Sequence, residues 1–304
     1  MQLTVRIATA LALLVGCASD AADVQPTVAP ATLLATGLRE LPVRPFAPQY
    51  PLWSDGAAKR RWIHLPGPIG APWELPVGTK LWKEFSVDGA VVETRYMEHA
   101  EAGWLYATYD AGGGLVPDAG RRGARHDIPS KTDCVACHGN AASPVLGFTA
   151  LQLSADRDPL APHADPPPVG ALDLTALVAE GYVVPQNPAP RIAAATPEER
   201  AARGYLMANC GGCHRTEGPL AALGMDLHGN AAETTIDRGA RFTTATATVR
   251  IAPGAPEASV VVARMSSRTP VSQMPPLGTK VVDREAVELV RRWITQLTNQ
   301  RRKV

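Results

Sequence analysis

Four of the five cysteines in this 304-residue chain stand in two copies of one frame, Cys134-Val-Ala-Cys137-His138 and Cys210-Gly-Gly-Cys213-His214. Two thiols at this spacing reach the two vinyl groups of one porphyrin, and the imidazole that follows reaches the iron as proximal ligand. Cys134, Cys137, Cys210 and Cys213 are therefore read as the covalent attachment points of two haem c groups. His138 and His214 are read as their axial ligands. A chain built this way folds around two rigid planes, which take up volume that aromatic side chains would otherwise fill. Aromatics are only 5% of the residues, against 45% hydrophobic overall.

Two other chemistries use paired cysteines. A four-thiolate zinc site would join Cys134, Cys137, Cys210 and Cys213, but zinc ribbons separate their pairs by about 15–20 residues, and these lie much farther apart. Neither zinc nor a thioredoxin-like dithiol requires a histidine directly after each second cysteine. The formal net charge is +1, with no long basic or acidic run, so a nucleic-acid partner has no support. No general base, metal cluster or nucleotide loop stands out, and no catalytic residue is assigned.

The fifth cysteine closes the count without leaving one for a disulfide. Residues 1–17 read as an export signal. Arg6 precedes an apolar stretch from Ile7 to Val15 that is too short to span a bilayer. It ends in Leu14-Val15-Gly16-Cys17, which resembles a bacterial lipobox and implies lipidation of Cys17. Ala18, rather than Asp, follows and resembles sorting to the outer membrane. The expected location is the periplasmic face of a bacterial membrane, held there by the lipid.

Residues 18–41, rich in Ala, Pro, Thr and Val, read as a flexible tether. Residues 42–155 read as a β-rich domain carrying the first haem. Thr79 to Phe85 and Ala90 to Met97 are strand-like around the hairpin signal Asp88-Gly89, and Gly103 to Tyr109 supplies a third antiparallel strand. Residues 156–195, with Pro166-Pro-Pro168 and Pro185 to Pro190, read as a connection containing one short helix, Leu172 to Glu180. Residues 196–304 hold the second haem. Thr196 is an N-cap with Pro197 at N1 and Glu198 and Glu199 in the first turn. A last helix starts at Asp283, its apolar stripe formed by Val287, Val290, Ile294 and Leu297 and joined by Ala286, Leu289 and Trp293.

The sixth ligand of the second haem is read as Met274 in Gln273-Met-Pro-Pro-Leu-Gly278. A thioether held by prolines is a soft ligand that favours ferrous iron and one-electron exchange. Met207, Met225 and Met265 are its rivals. The first haem has no methionine between His138 and Met207, so Met97, His64, His99, His126 and His163 are the candidates there.

The order of helix, Cys-x-x-Cys-His, loop, Met-Pro-Pro and terminal helix from Pro197 to Ile294 resembles a class I cytochrome c domain. Arg203-Gly-Tyr205 and the stretch Ala252 to Ser259 add to the likeness. The wider chain resembles a family of bacterial dihaem c-type cytochromes through Tyr50 to Ala57, Pro76-Val-Gly-Thr79, Ile128-Pro-Ser130, Val145-Leu-Gly147 and Gln152-Leu153. Gly78-Thr79, Lys83-Glu-Phe85 and Gly103-Trp104 resemble the all-β cytochromes, cytochrome c′-beta and the hydroxylamine-oxidising β-sheet cytochromes, whose iron is five-coordinate. Members that oxidise hydroxylamine also cross-link a lysine to the porphyrin, a role not assigned here among Lys80, Lys83 and Lys131.

The expected architecture is therefore α+β and multidomain, a β-rich antiparallel haem domain followed by an all-α class I cytochrome c domain. The expected function is transfer of single electrons between periplasmic redox partners, a dehydrogenase or other cytochromes. The alternative is a haem enzyme or gas sensor, open at the first haem and relayed by the second.

Overall fold

A computed structural model of the chain describes residues 28–123, 126–139, 141–228 and 234–297. The stretch read as an export signal, with Cys17, lies outside the described residues. Among those described, no helix is long and apolar enough to cross a membrane.

Five strands form one antiparallel sheet in the order β1 (Arg44–Pro45), β2 (Ala58–His64), β3 (Lys80–Val87), β4 (Ala90–Ala100) and β5 (Gly103–Asp110). β3 to β5 are the strands expected from alternation. Asp88 and Gly89 take φ values of 51° and 80° in the β3–β4 turn, the left-handed pair that a two-residue hairpin loop requires. The register sets Ile63, Leu81, Met97 and Tyr106 in one row across the inner face. The chain after the first motif packs on that row, burying Val145, Phe148, Leu153, Leu172 and Leu177 with it. Trp82, Tyr96, Leu105 and Tyr109 occupy the outer face. There Leu33, Leu38 and Leu41 pack on them, so this part of the stretch read as a tether lies on the sheet. Leu172 and Leu177 likewise draw part of the Pro-rich connection into the core.

Among the described residues five α-helices are present: α1 (Lys131–His138), α2 (Leu174–Ala179), α3 (Pro197–Cys210), α4 (Val260–Met265) and α5 (Arg284–Gln296). Thr196 and Asp283 cap α3 and α5 as their sequences imply, each side chain accepting an N–H three residues on. α3 and α5 pack together through Ala201, Leu206, Leu289, Val290 and Trp293.

The expectation of an all-α class I cytochrome c domain is not met. The protein is organised around one five-stranded antiparallel sheet with short helices. Between α3 and α4 the described chain runs as turns, a 3-10 turn at Ala221–Leu223, and isolated bridges pairing Ile236 with Ile251, Gly239 with Val249 and Val249 with Ser259. The physical reason is compositional. Thr243 to Thr248 and the glycines before it give no apolar row with helical spacing, and β-branched threonines favour extended backbone.

The sheet half and the helical half meet along a polar seam. Tyr50 is 2% exposed, and its ring lies so close to Gly204 that a Cβ there would come within 2.1 Å of it. The Tyr50 hydroxyl donates to Asp158 (3.0 Å), and Arg200 of α3 donates to Asp156 (3.0 Å). Farther along, Trp53 N–H donates to Asn209 (2.7 Å) and its indole N–H to the Val281 carbonyl (3.0 Å). The Asp55 carboxylate accepts both the Lys280 and Val281 N–H groups at 2.9 Å, and Lys280 Nζ reaches Asp127 at 2.7 Å.

Because an aromatic ring fills the space at residue 204, Gly204→Ala forces the seam apart. It is expected to lower unfolding stability by about 1–3 kcal/mol. Urea denaturation of the wild type and the variant measures this, and equal midpoints would refute it.

Candidate functional site

Helix α1 carries the first motif, and its start is fixed by a capping box. Ser130 Oγ accepts the Asp133 N–H (3.1 Å), and the Asp133 carboxylate accepts the Ser130 N–H (3.0 Å). Such a box satisfies two of the unpaired donors at a helix start. It orients Cys134 and Cys137 one turn apart, with His138 at the end. His138 Nδ1 lies 2.6 Å from the Pro144 carbonyl. A carbonyl only accepts, so Nδ1 is the donor and Nε2 keeps its lone pair. Burial pushes the imidazole down to about 4, and it is neutral at ordinary pH. Its ring sits 5.4 Å from that of Tyr106 on the inner face of the sheet. Both thiols are unbonded, and burial raises their pKa values.

The second motif leaves the C-terminal end of α3. Cys213 and His214 N–H groups both return to the Cys210 carbonyl, at 3.1 and 2.9 Å. Gly211 is required in this turn, because a Cβ there would lie 2.5 Å from the Met207 carbonyl oxygen. His214 is 9% exposed, and its Nδ1 is buried with no hydrogen-bond partner. Burial, followed by the cations Arg250 and Arg264, pushes its pKa down. Burial pushes the Cys210 thiol up to about 12, and Cys213 is also raised.

Cys210 faces a small cavity shared with Tyr205, Asn209, Met265, Arg268 and Met274. Met274 is held there by its own N–H to the Arg264 carbonyl (3.1 Å). Of its rivals, Met265 lines the same cavity. Met207 lines another, with Arg203 and His228, and Met225 packs against the α3–α5 core. The cavity therefore brings together Cys210, Met265 and Met274.

The residues of both motifs fit a covalently held haem. Each supplies two unbonded thiols and an imidazole whose pKa burial lowers, one with its ring fixed through Nδ1 and the other with an orphaned Nδ1. A ring N–H given to a carbonyl is the usual support for a metal-ligating histidine. Among the described residues, no group of three or more His, Cys, Asp or Glu side chains is arranged to hold a metal ion directly.

The residues read as candidates for the other side of a first haem are dispersed. His64 lies 3.3 Å from the Pro42 carbonyl. His99 stacks on Trp104 at 4.7 Å and meets the Leu75 carbonyl. His163 sits in the seam, 2.9 Å from Asp283 and against the Trp53 ring. His126 pairs with Glu93 at 2.7 Å. Met97 is buried in the sheet core, in the cluster against which Cys134 packs. Lys80 and Lys131 lie 3.7 Å from Glu98 and Asp118, respectively.

Lys83 differs from those two lysines, and sequence reasoning missed its setting. Below the apolar row, the inner face carries Arg61, Lys83 and Arg95 in register, with Lys59, Phe85 and Glu93 in the next row. Arg95 and Lys83 lie over the fully buried Phe85 ring, at 4.2 and 4.9 Å from its centre. Burial pushes Lys59 down to about 8 and Arg61 down to about 10. Lys83 and Arg95 lie within the field of both His138 and Cys137. Strand alternation alone was the available signal, since it sets four cations on the face that also carries Ile63 and Leu81.

No family model matches the chain, and neither a curated protein nor a solved structure does.

The His163–Asp283 pair gives the site a pH signature. Its hydrogen bond to Asp283 raises the His163 pKa despite burial. The stabilisation is therefore complete below the ordinary histidine value of about 6.5 and is lost as pH rises through the raised value. His163→Gln is expected to remove this part of the pH dependence of unfolding while leaving any haem spectrum unchanged. A spectral change instead would make His163 a ligand.

Proposed function

We propose that this chain is a dihaem c-type cytochrome that passes single electrons between periplasmic redox partners, a dehydrogenase or other cytochromes, with the lipid on Cys17 holding it at a membrane. The observation that carries this reading is that each motif ends in a buried imidazole directly after two free thiols, His138 being fixed through Nδ1 by the Pro144 carbonyl at 2.6 Å. Bound at both motifs, haem supplies two one-electron iron couples.

Everything else is done by residues of the chain. Cys134 with Cys137, and Cys210 with Cys213, hold the two groups through thioether bonds. His138 and His214 present Nε2, and the Pro144 carbonyl keeps the His138 ring from turning. Met274 offers its sulfur within the Cys210 cavity, with Met265 buried behind. The Tyr106 and Met97 row beside the first motif, and the α3–α5 core beside the second, exclude water. A lower dielectric around iron is one of the protein's means of tuning its potential.

A second reading, a haem enzyme or gas sensor open at the first haem, draws support from the positions of the candidate histidines. His64, His99, His126 and His163 are each engaged by another partner.

Absorption and EPR spectra of the oxidised holoprotein, followed by carbon monoxide on the reduced form, decide between the two. The carrier predicts low-spin haem indifferent to carbon monoxide. High-spin signal from one of the two haems, with carbon monoxide bound there, selects the second reading. In either case Met274→Ala is expected to turn the second haem high-spin or lower its potential. An unchanged low-spin spectrum would transfer the ligand role to Met265.

A further inference from the structure

The inner face of the sheet is unusual in what it covers. Arg61 is 6% exposed, yet its guanidinium makes no hydrogen bond or ion pair among the described residues. Its neighbour Arg60, on the opposite face, donates to Glu84 at 2.8 and 2.6 Å. A guanidinium carries five donors in a fork that matches a carboxylate, and no Arg61 nitrogen is among the side-chain atoms sealed from solvent without a partner, so the fork can be reached from outside. Around Arg61 the register sets Lys83, Arg95 and Lys59. The carboxylate in contact with this group is Glu93. One of its oxygens accepts from Arg95 and His126, and the other is buried without a partner. Lys59 Nζ donates to the Leu52 carbonyl (2.7 Å). Lys83 has the Phe85 ring as its contact. Asp165 is near enough to act on Arg61 electrostatically but makes no contact with it. Four cations therefore face one carboxylate in contact, on the side of the sheet where Tyr106 meets His138.

We infer that Arg61, with Lys83 and Arg95 beside it, forms an anion site that receives a carboxylate. Two sources carry that chemistry: a propionate of the porphyrin attached at Cys134 and Cys137, and a free carboxylate entering from solution. The first source rests on the proposed haem attachment; the second does not. Arg61 supplies the paired N–H groups, and Lys83 supplies a mobile point charge. Arg95 is held in place by Glu93.

Resonance Raman spectra and thermal unfolding of the full-length holoprotein test this, using wild type, Arg61→Gln and the charge-conserving Arg61→Lys. Sodium acetate is compared with sodium chloride at equal ionic strength. If the occupant is the propionate, the propionate bending band moves in Arg61→Gln and less so in Arg61→Lys, and acetate leaves Tm unchanged. If the occupant is a free carboxylate, the band stays in place while acetate raises the Tm of wild type and Arg61→Lys but not of Arg61→Gln. A band and a Tm that both ignore the substitution overturn the site. A pyridine haemochrome count on the same samples keeps the two readings apart. Fewer than two haems per chain defeats the dihaem proposal, and the acetate titration still decides the anion site.

Discussion

The contact on which the rest depends is that of an aromatic ring on bare backbone. Tyr50 lies where any side chain on residue 204 would have to be, and this close approach aligns a ladder of polar contacts between the sheet half and the helical half. The segment from Tyr50 to Asp55 reaches Gly204, Asn209 and the Lys280–Val281 backbone in turn. Those points flank Cys210 on one side and follow the Met274 loop on the other. One short stretch of the sheet half thus holds two walls of the second motif's surroundings. Few of these bonds are strong singly, since surface and partly buried polar contacts contribute of order 1 kcal/mol each. Their shared alignment, set by the Tyr50 ring, gives them their effect.

Much of this was legible in the residues. The alternation of β3 to β5 and the Asp88-Gly89 turn marked three strands, and Thr196-Pro197 and Asp283 marked two helix starts. β2 was not legible, because Lys59, Arg60 and Arg61 place cations on both faces and erase the period of two. The outer-face packing of Leu33, Leu38 and Leu41 was hidden by irregular spacing, which follows a short 3-10 turn (Leu34–Thr36) ended by Gly37 (φ 87°) rather than an α-helix. The class I cytochrome expectation transferred the order of motifs to a whole domain. The motifs are local, and the Thr- and Gly-rich chain between them obeys its own backbone preferences. In the site, the two Cys-x-x-Cys-His frames were readable because their spacing is local in the sequence. The support for His138 was not, since the Pro144 carbonyl carries no side-chain signature.

Local rules are broken most clearly on the inner face of the sheet. A strand that turns Ile63 and Leu81 inward also turns Arg61 and Lys83 inward. Such conflicts between pattern and burial are expected where a protein binds something rather than merely packs. The same face therefore divides into an apolar half that builds the core and a cationic half beside the first motif. Phe85 lies within the cationic half, its ring face turned to Arg95 and Lys83 in the cation–π manner.

The seam also bears on the order of events as the chain is made. Its bonds join residues up to 228 positions apart, Trp53 to Val281 being the widest. Contacts of such separation carry the greatest loop-closure cost and form late. The sheet half, built from neighbouring hairpins, is complete long before the Asp55 carboxylate can meet Lys280. The polar ladder between the halves is thus the last part of the structure to close, after each half has assembled its own core.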